Sequence, residues 1–112
     1  MDLTIIRHAV EVDHGIKRVG MDFLKRRAAK DRVRLSADLC AQISAELDRL
    51  GLTTIPRTLP TSENEYVWVI LKDSILGEIT QVGAAVALLD KMGMNPVPQV
   101  FEQHPNAKRN LI

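Results

Sequence analysis

One segment constrains the fold more than any other. Leu35-Ser36 supplies an apolar residue followed by a hydroxyl N-cap, and Asp38 falls in the first turn. Leu39, Ile43, Leu47 and Leu50 then recur at helical spacing, and Gly51 follows. A serine oxygen takes an orphan N–H at a helix start, an early acid suits the positive end, and a glycine closes the helix in left-handed conformation. The spacing predicts a helix over 37–50 with one apolar stripe. Ala45 to Pro56 also lines up with Ala87 to Pro98, at an offset of 42 residues. Each copy reads as helix end, glycine cap and strand start, and shared capping chemistry explains most of the likeness without duplication. Two successive helix-to-strand steps favour an α/β class: a mainly parallel sheet flanked by helices, in a single small α/β domain spanning 1–112.

The other elements follow from local pattern. Tyr66 to Leu71 is the strongest β run, and Thr53 to Leu59 reads as a short strand interrupted by Pro56. Residues 2–6 are apolar and β-branched, which predicts a short buried strand and then a loop. The competing pattern is one long helix through Ile5, Ala9, Val12, Ile16, Val19 and Phe23. Gly15 and Gly20 would each cost that helix ~1 kcal/mol. A helical piece near Met21 to Ala29 fits both. A second helix is expected from Thr80 to Met92, ended by Gly93, and a strand from Val97 to Phe101.

Composition narrows the function classes. A chain of 112 residues can bury one core, and 46% hydrophobic with 26% charged residues excludes a disordered segment. No apolar run approaches the ~18 residues of a membrane span, so no membrane partner is expected. Nothing resembles a secretion signal, and a cytoplasmic location is the expectation. The single cysteine, Cys40, excludes an internal disulfide and a multi-cysteine zinc site, and reads as buried packing. His8, His14 and His104 lack metal-ligand spacing, so no metal or cofactor is expected; His14 reads as a turn residue. The net charge of +1 hides an uneven distribution. Residues 17–34 hold eight basic and two acidic side chains, a local +6, and the remainder carries −5. Such a segment attracts anions, or is simply a solvated basic face. Phe23 is its only aromatic residue, which gives little support to base stacking. Tyr66 and Trp68 read as core or interface before ligand stacking.

Arg7-His8 directly follow the apolar residues 2–6. At the carboxyl end of a strand a guanidinium can clamp phosphate, and an imidazole can act as nucleophile or proton carrier. A surface Arg-His dipeptide is the plainer reading of the pair alone. Met1-Asp-Leu-Thr-Ile-Ile-Arg-His-Ala9 resembles the opening strand of the histidine phosphatase (phosphoglycerate-mutase-like) superfamily. Further segments resemble that family in the same order: Leu35-Ser36 with Gln42, Leu50-Gly51-Leu52, Thr61-Ser62, then Thr80 through Gly93 and Pro96-Val97 to Glu102. The chain would be the family's N-terminal portion, shortened and partly degenerate. Leu39 replaces the family's helix glycine, no arginine lies between Arg57 and Arg109, and the second catalytic histidine is absent or displaced to His104.

The resemblance implies that His8 accepts the phosphoryl group, with Glu102 as general acid and His104 as the displaced second histidine. Arg7, Ser62 and Arg18 would bind substrate, a phosphorylated small molecule or phosphoprotein. A phosphomonoester hydrolase, a weakened one and a non-catalytic copy remain open. Two alternatives stand beside it. One is a winged-helix-like nucleic-acid-binding module, with the 37–50 helix followed by a wing from Thr54-Ile-Pro-Arg57 to Tyr66-Val-Trp-Val69 and residues 17–34 on phosphates. Asp38, Glu46 and Asp48 on that helix make nucleic acid the less favoured partner. The other is a non-catalytic dimeric interaction protein, a homodimer covering an exposed sheet edge.

Overall fold

The computed structural model describes residues 1–31, 34–91, 93 and 102–111. They divide into two compact units, Met1–Leu71 and Lys72–Ile112. The first unit runs α1 (Thr4–Val12), β1 (Ile16–Gly20), α2 (Met21–Ala28), α3 (Ala37–Arg49), β2 (Leu52–Ile55) and β3 (Tyr66–Leu71).

The amino terminus is a helix, not the expected strand. Asp2 Oδ1 accepts from the Thr4 N–H at 2.9 Å and the Thr4 hydroxyl at 2.6 Å, closing the first turn. That hydroxyl bond, seconded by the N–H, holds the Asp2 carboxyl below its ordinary value. Leu3, Ile6 and Val10, spaced by three and four, are buried, while Ile5 and Val12 are exposed. Gly15 and Gly20, which argued against a helix, both lie beyond it. His14 and Gly15 turn the chain into β1 at φ 65° and 94°.

The sheet is also a correction: it is antiparallel throughout, in the order β1-β3-β2. Residues 56–65 join β2 to β3, a connection short enough for antiparallel neighbours, whereas a parallel crossover needs a dozen or more residues. Strand β2 stops at Ile55, before Pro56, so the expected strand to Leu59 is shorter. Alternation along β3 sorts its side chains. Val67 and Val69 are buried with Val19 and Leu52, while Tyr66 and Trp68 are exposed.

Helix α3 forms as its pattern requires. The Ser36 hydroxyl oxygen accepts from the Leu39 N–H at 3.0 Å, and Leu39, Cys40, Ile43 and Leu47 are buried. They pack with Leu3, Leu24 and Val67 in one core. Gly51 closes the helix at φ 77°.

The second unit contains α4 (Ile75–Lys91) and α5 (Pro105–Leu111). Helix α4 starts before the expected Thr80 because Ser74 caps it, its hydroxyl oxygen accepting from the Gly77 N–H at 3.0 Å. Val82 and Ala107 are buried against Ile79 and Val86. Buried Glu78 accepts from the Asn106 N–H at 3.2 Å, placing a carboxylate at the start of α5. The strand expected over 97–101 lies outside the described residues. Among those residues, no helix is long and apolar enough to cross a membrane.

Candidate functional site

Of the residues singled out through the phosphatase resemblance, Arg7, His8, Arg18 and Ser62 lie in the first unit and Glu102 and His104 in the second. His8 is exposed on α1, rather than at the carboxyl end of a strand. Arg7, its neighbour, is structural. Its Nε donates to Glu11 Oε1 at 2.8 Å, and its Nη1 donates to the Leu50 carbonyl at 2.9 Å. The guanidinium thus caps the negative end of α3 and is not presented to a ligand. Ser62 lies in the loop before β3, where its hydroxyl oxygen accepts from the Asn64 N–H at 3.4 Å. Glu102 and His104 belong to the second unit. Glu102 is exposed and ion-paired to Lys108, and the His104 carbonyl accepts from the Lys108 N–H at 3.0 Å.

Arg18 lies elsewhere, and it marks a different surface. On β1 it stands directly opposite Trp68 of β3, and Ile55 of β2 flanks Trp68 on the other side. The Arg18 guanidinium carbon lies 4.1 Å from the Tyr66 ring centroid. Gly20 is opposite Tyr66, and a Cβ there would be 3.4 Å from the Tyr66 ring. Helix α2 continues the pattern: the Arg27 guanidinium lies 5.3 Å from the Phe23 ring centroid. A cation over an aromatic face is attracted by the ring quadrupole, ~0.5–1 kcal/mol at exposed sites.

Three shallow grooves meet at Phe23. One of about 430 Å³ is lined by Phe23, Arg26, Arg27 and Lys30. A second of about 470 Å³ runs from Phe23, Arg26 and Asp22 past Gly20 and Glu63 to Tyr66 and Asn64. A third, mostly apolar and about 350 Å³, lies along β1 between Ile5, Ala9 and Phe23. Tyr66, Trp68 and Phe23 are 57%, 45% and 38% exposed. Every aromatic side chain among the described residues therefore sits on the surface, and none is spent on the core.

The charges around these rings are partly free. Arg26 pairs with Asp22 at 2.9 Å, whereas Arg18, Arg27 and Lys30 have no ion-pair partner among the described residues. Lys25 is buried instead and pairs with Glu63, tying the loop before β3 to α2. The Met21 N–H donates to the Glu65 carbonyl at 2.9 Å and fixes the same junction. By contrast, the exposed side of α3 presents Asp38 and Asp48, with Glu46 paired to Arg49. One surface of the unit is basic and aromatic, and the other is acidic.

Sequence reasoning placed the positive charge correctly in 17–34 but missed the rings that accompany it. The signal was available: Tyr66 and Trp68 are two apart, and Val67 and Val69 alternate with them, so aromatics and valines had to face opposite sides. Compared with protein-family models, curated proteins and solved structures, the chain matches none.

Proposed function

We propose that residues 1–71 act as a winged-helix-like module that binds the phosphate backbone of a nucleic acid through the surface of β1, α2 and β3. The element order and the β1-β3-β2 sheet fit that architecture, with α3 followed by a β2–β3 wing. The observation that carries the function is the exposed set of Phe23, Tyr66 and Trp68, with Arg18 and Arg27 over two of the rings. Basic groups draw in the backbone, while aromatic faces offer contact to bases. Insertion of α3 into a major groove is disfavoured, because Asp38 and Asp48 would be brought against phosphates. The phosphohydrolase reading draws no support from the surroundings of His8, an exposed helix position.

The test is fluorescence anisotropy of labelled oligonucleotides over a salt series. If Arg18, Arg26, Arg27 and Lys30 each meet a phosphate of a single strand, log K falls with log salt at a slope of about −3. A rise from about 50 to 200 mM salt then weakens binding about 50-fold. Arg27→Glu with Lys30→Glu abolishes the binding, and Asp38→Asn on α3 leaves it within about twofold. No binding at about 50 mM salt, or binding insensitive to salt, refutes the proposal.

A second reading, self-association, rests on the exposed apolar surface of Ile55 and Trp68. Sedimentation equilibrium separates the two, because a dimer closed over this face would mask Trp68 without any oligonucleotide.

A further inference from the structure

Resting on that reading, we infer that the ligand is single-stranded and that its bases stack on Tyr66 and Trp68, on the open face of the sheet. Two features of the geometry lead there. The first is spacing. Tyr66 and Trp68 share one face of β3, two residues apart, which separates them by about 6.8 Å along the strand. Bases in a duplex strand rise only ~3.4 Å per step. Bases seated on both rings have therefore left the duplex stack, and only an unpaired strand offers them.

The second feature is the arrangement of neighbours. Arg18 opposite Trp68 and stacked on Tyr66 puts one cation beside both rings, where a strand following the bases brings its phosphates. The basic groove of Phe23, Arg26, Arg27 and Lys30 shares Phe23 and Arg26 with the groove that reaches Tyr66. That second groove is also lined by Asp22, which pairs with Arg26, and by Glu63, so the positive charge is concentrated at Arg27 and Lys30 on α2 and at Arg18 beside the rings. Exposed Asp38 at the start of α3 disfavours reading a duplex through its groove. What remains is a strip that suits a flexible anion carrying flat apolar groups, and a single-stranded nucleic acid has that chemistry. The face carries aromatic rings and few groups arranged to read base edges, so the stacking tolerates any base.

Trp68 is the sole tryptophan of the chain, so its emission reports directly on this site. The experiment titrates the full chain with an oligodeoxythymidine of about twelve nucleotides, within the usual site size of such proteins. An abasic oligomer with the same number of phosphates, and a duplex of the same length, are titrated alongside. The oligodeoxythymidine is expected to quench Trp68 and to bind about tenfold or more tighter than the abasic strand, as base stacking of ~1–3 kcal/mol requires. Trp68→Leu narrows the gap between the two single strands, and Tyr66→Leu with Trp68→Leu brings them to similar affinity, read by anisotropy, with circular dichroism at wild-type values. Equal binding of the oligodeoxythymidine and the abasic strand with Trp68 emission unchanged overturns the stacking and leaves the phosphate reading standing. Tighter binding of the duplex does the same. Failure of all three probes to bind at low salt overturns the phosphate reading and the inference with it.

Discussion

Arg7 and Gly51 make a coupled pair whose energetics can be worked from geometry. Helix α3 ends at Arg49 with Leu50 as its C-cap, and Gly51 continues the chain at φ 77°. The Leu50 carbonyl accepts from Arg7 Nη1 at 2.9 Å. A Cβ on residue 51 would lie 2.7 Å from that same nitrogen. Gly51→Ala therefore acts twice. The left-handed conformation costs a residue with a Cβ ~1–2 kcal/mol. The guanidinium must also withdraw, giving up a hydrogen bond that contributes about 1 kcal/mol for a side chain open on one side to water. The sum is about 2–3 kcal/mol. Arg7→Ala alone costs about 1 kcal/mol. In the Arg7→Ala background the clash is gone, so Gly51→Ala costs only the backbone part. The double variant is then more stable than additivity predicts, by about 1 kcal/mol. Urea denaturation followed by far-UV circular dichroism and Trp68 emission measures each corner of the cycle. Additivity within ~0.5 kcal/mol would refute the geometric coupling.

Further outcomes follow from other positions. His14 holds φ 65° in the turn before β1, so His14→Asn, which tolerates that region better, raises stability by about 0.5–1 kcal/mol in the same urea assay. Glu63→Gln removes the carboxylate paired with buried Lys25 and lowers stability by about 1–3 kcal/mol; the same change at exposed Glu65 stays within about 0.5 kcal/mol. Burial pushes the Cys40 thiol up from its ordinary value, so the fold favours the neutral thiol. The stability gained from the neutral form is complete below the unfolded thiol's range and is lost as pH rises through the folded value. Urea midpoints should thus fall on the alkaline side, and Cys40→Ala should lessen that fall. In native protein at neutral pH, Cys40 should react with a disulfide reagent only as fast as the unit opens.

Much of the fold can be read from sequence, for identifiable reasons. The α3 segment carries its own N-cap, stripe and glycine, so local chemistry alone specifies it. The Tyr66–Leu71 strand is specified by β-branched and aromatic residues. The amino terminus misleads because Leu3, Ile6 and Val10 form the buried stripe, while the more conspicuous series beginning at Ile5 and Ala9 does not. The run Leu3-Thr4-Ile5-Ile6 before Arg-His suits a strand until Asp2 is seen to accept from the Thr4 N–H and hydroxyl and turn the chain into a helix. Strand direction is not encoded locally at all. The two helix-to-strand steps suggested parallel pairing, but the ten-residue connection 56–65 permits the antiparallel return that occurs. The candidate site was half legible. Charge clustering marks residues 17–34, but only the register Arg18 to Trp68 and Gly20 to Tyr66 unites that segment with rings some fifty residues away.

The most direct test is amide chemical-shift mapping on the isotopically labelled 112-residue chain, with oligodeoxythymidine added at low salt. The amides of Arg18, Gly20, Phe23, Arg27, Tyr66 and Trp68 are expected to shift together on one saturation curve, while those of Arg7, His8 and the exposed side of α3, Asp38 to Asp48, stay in place. Shifts centred on α3 or on His8, with the β3 aromatics unmoved, would contradict it.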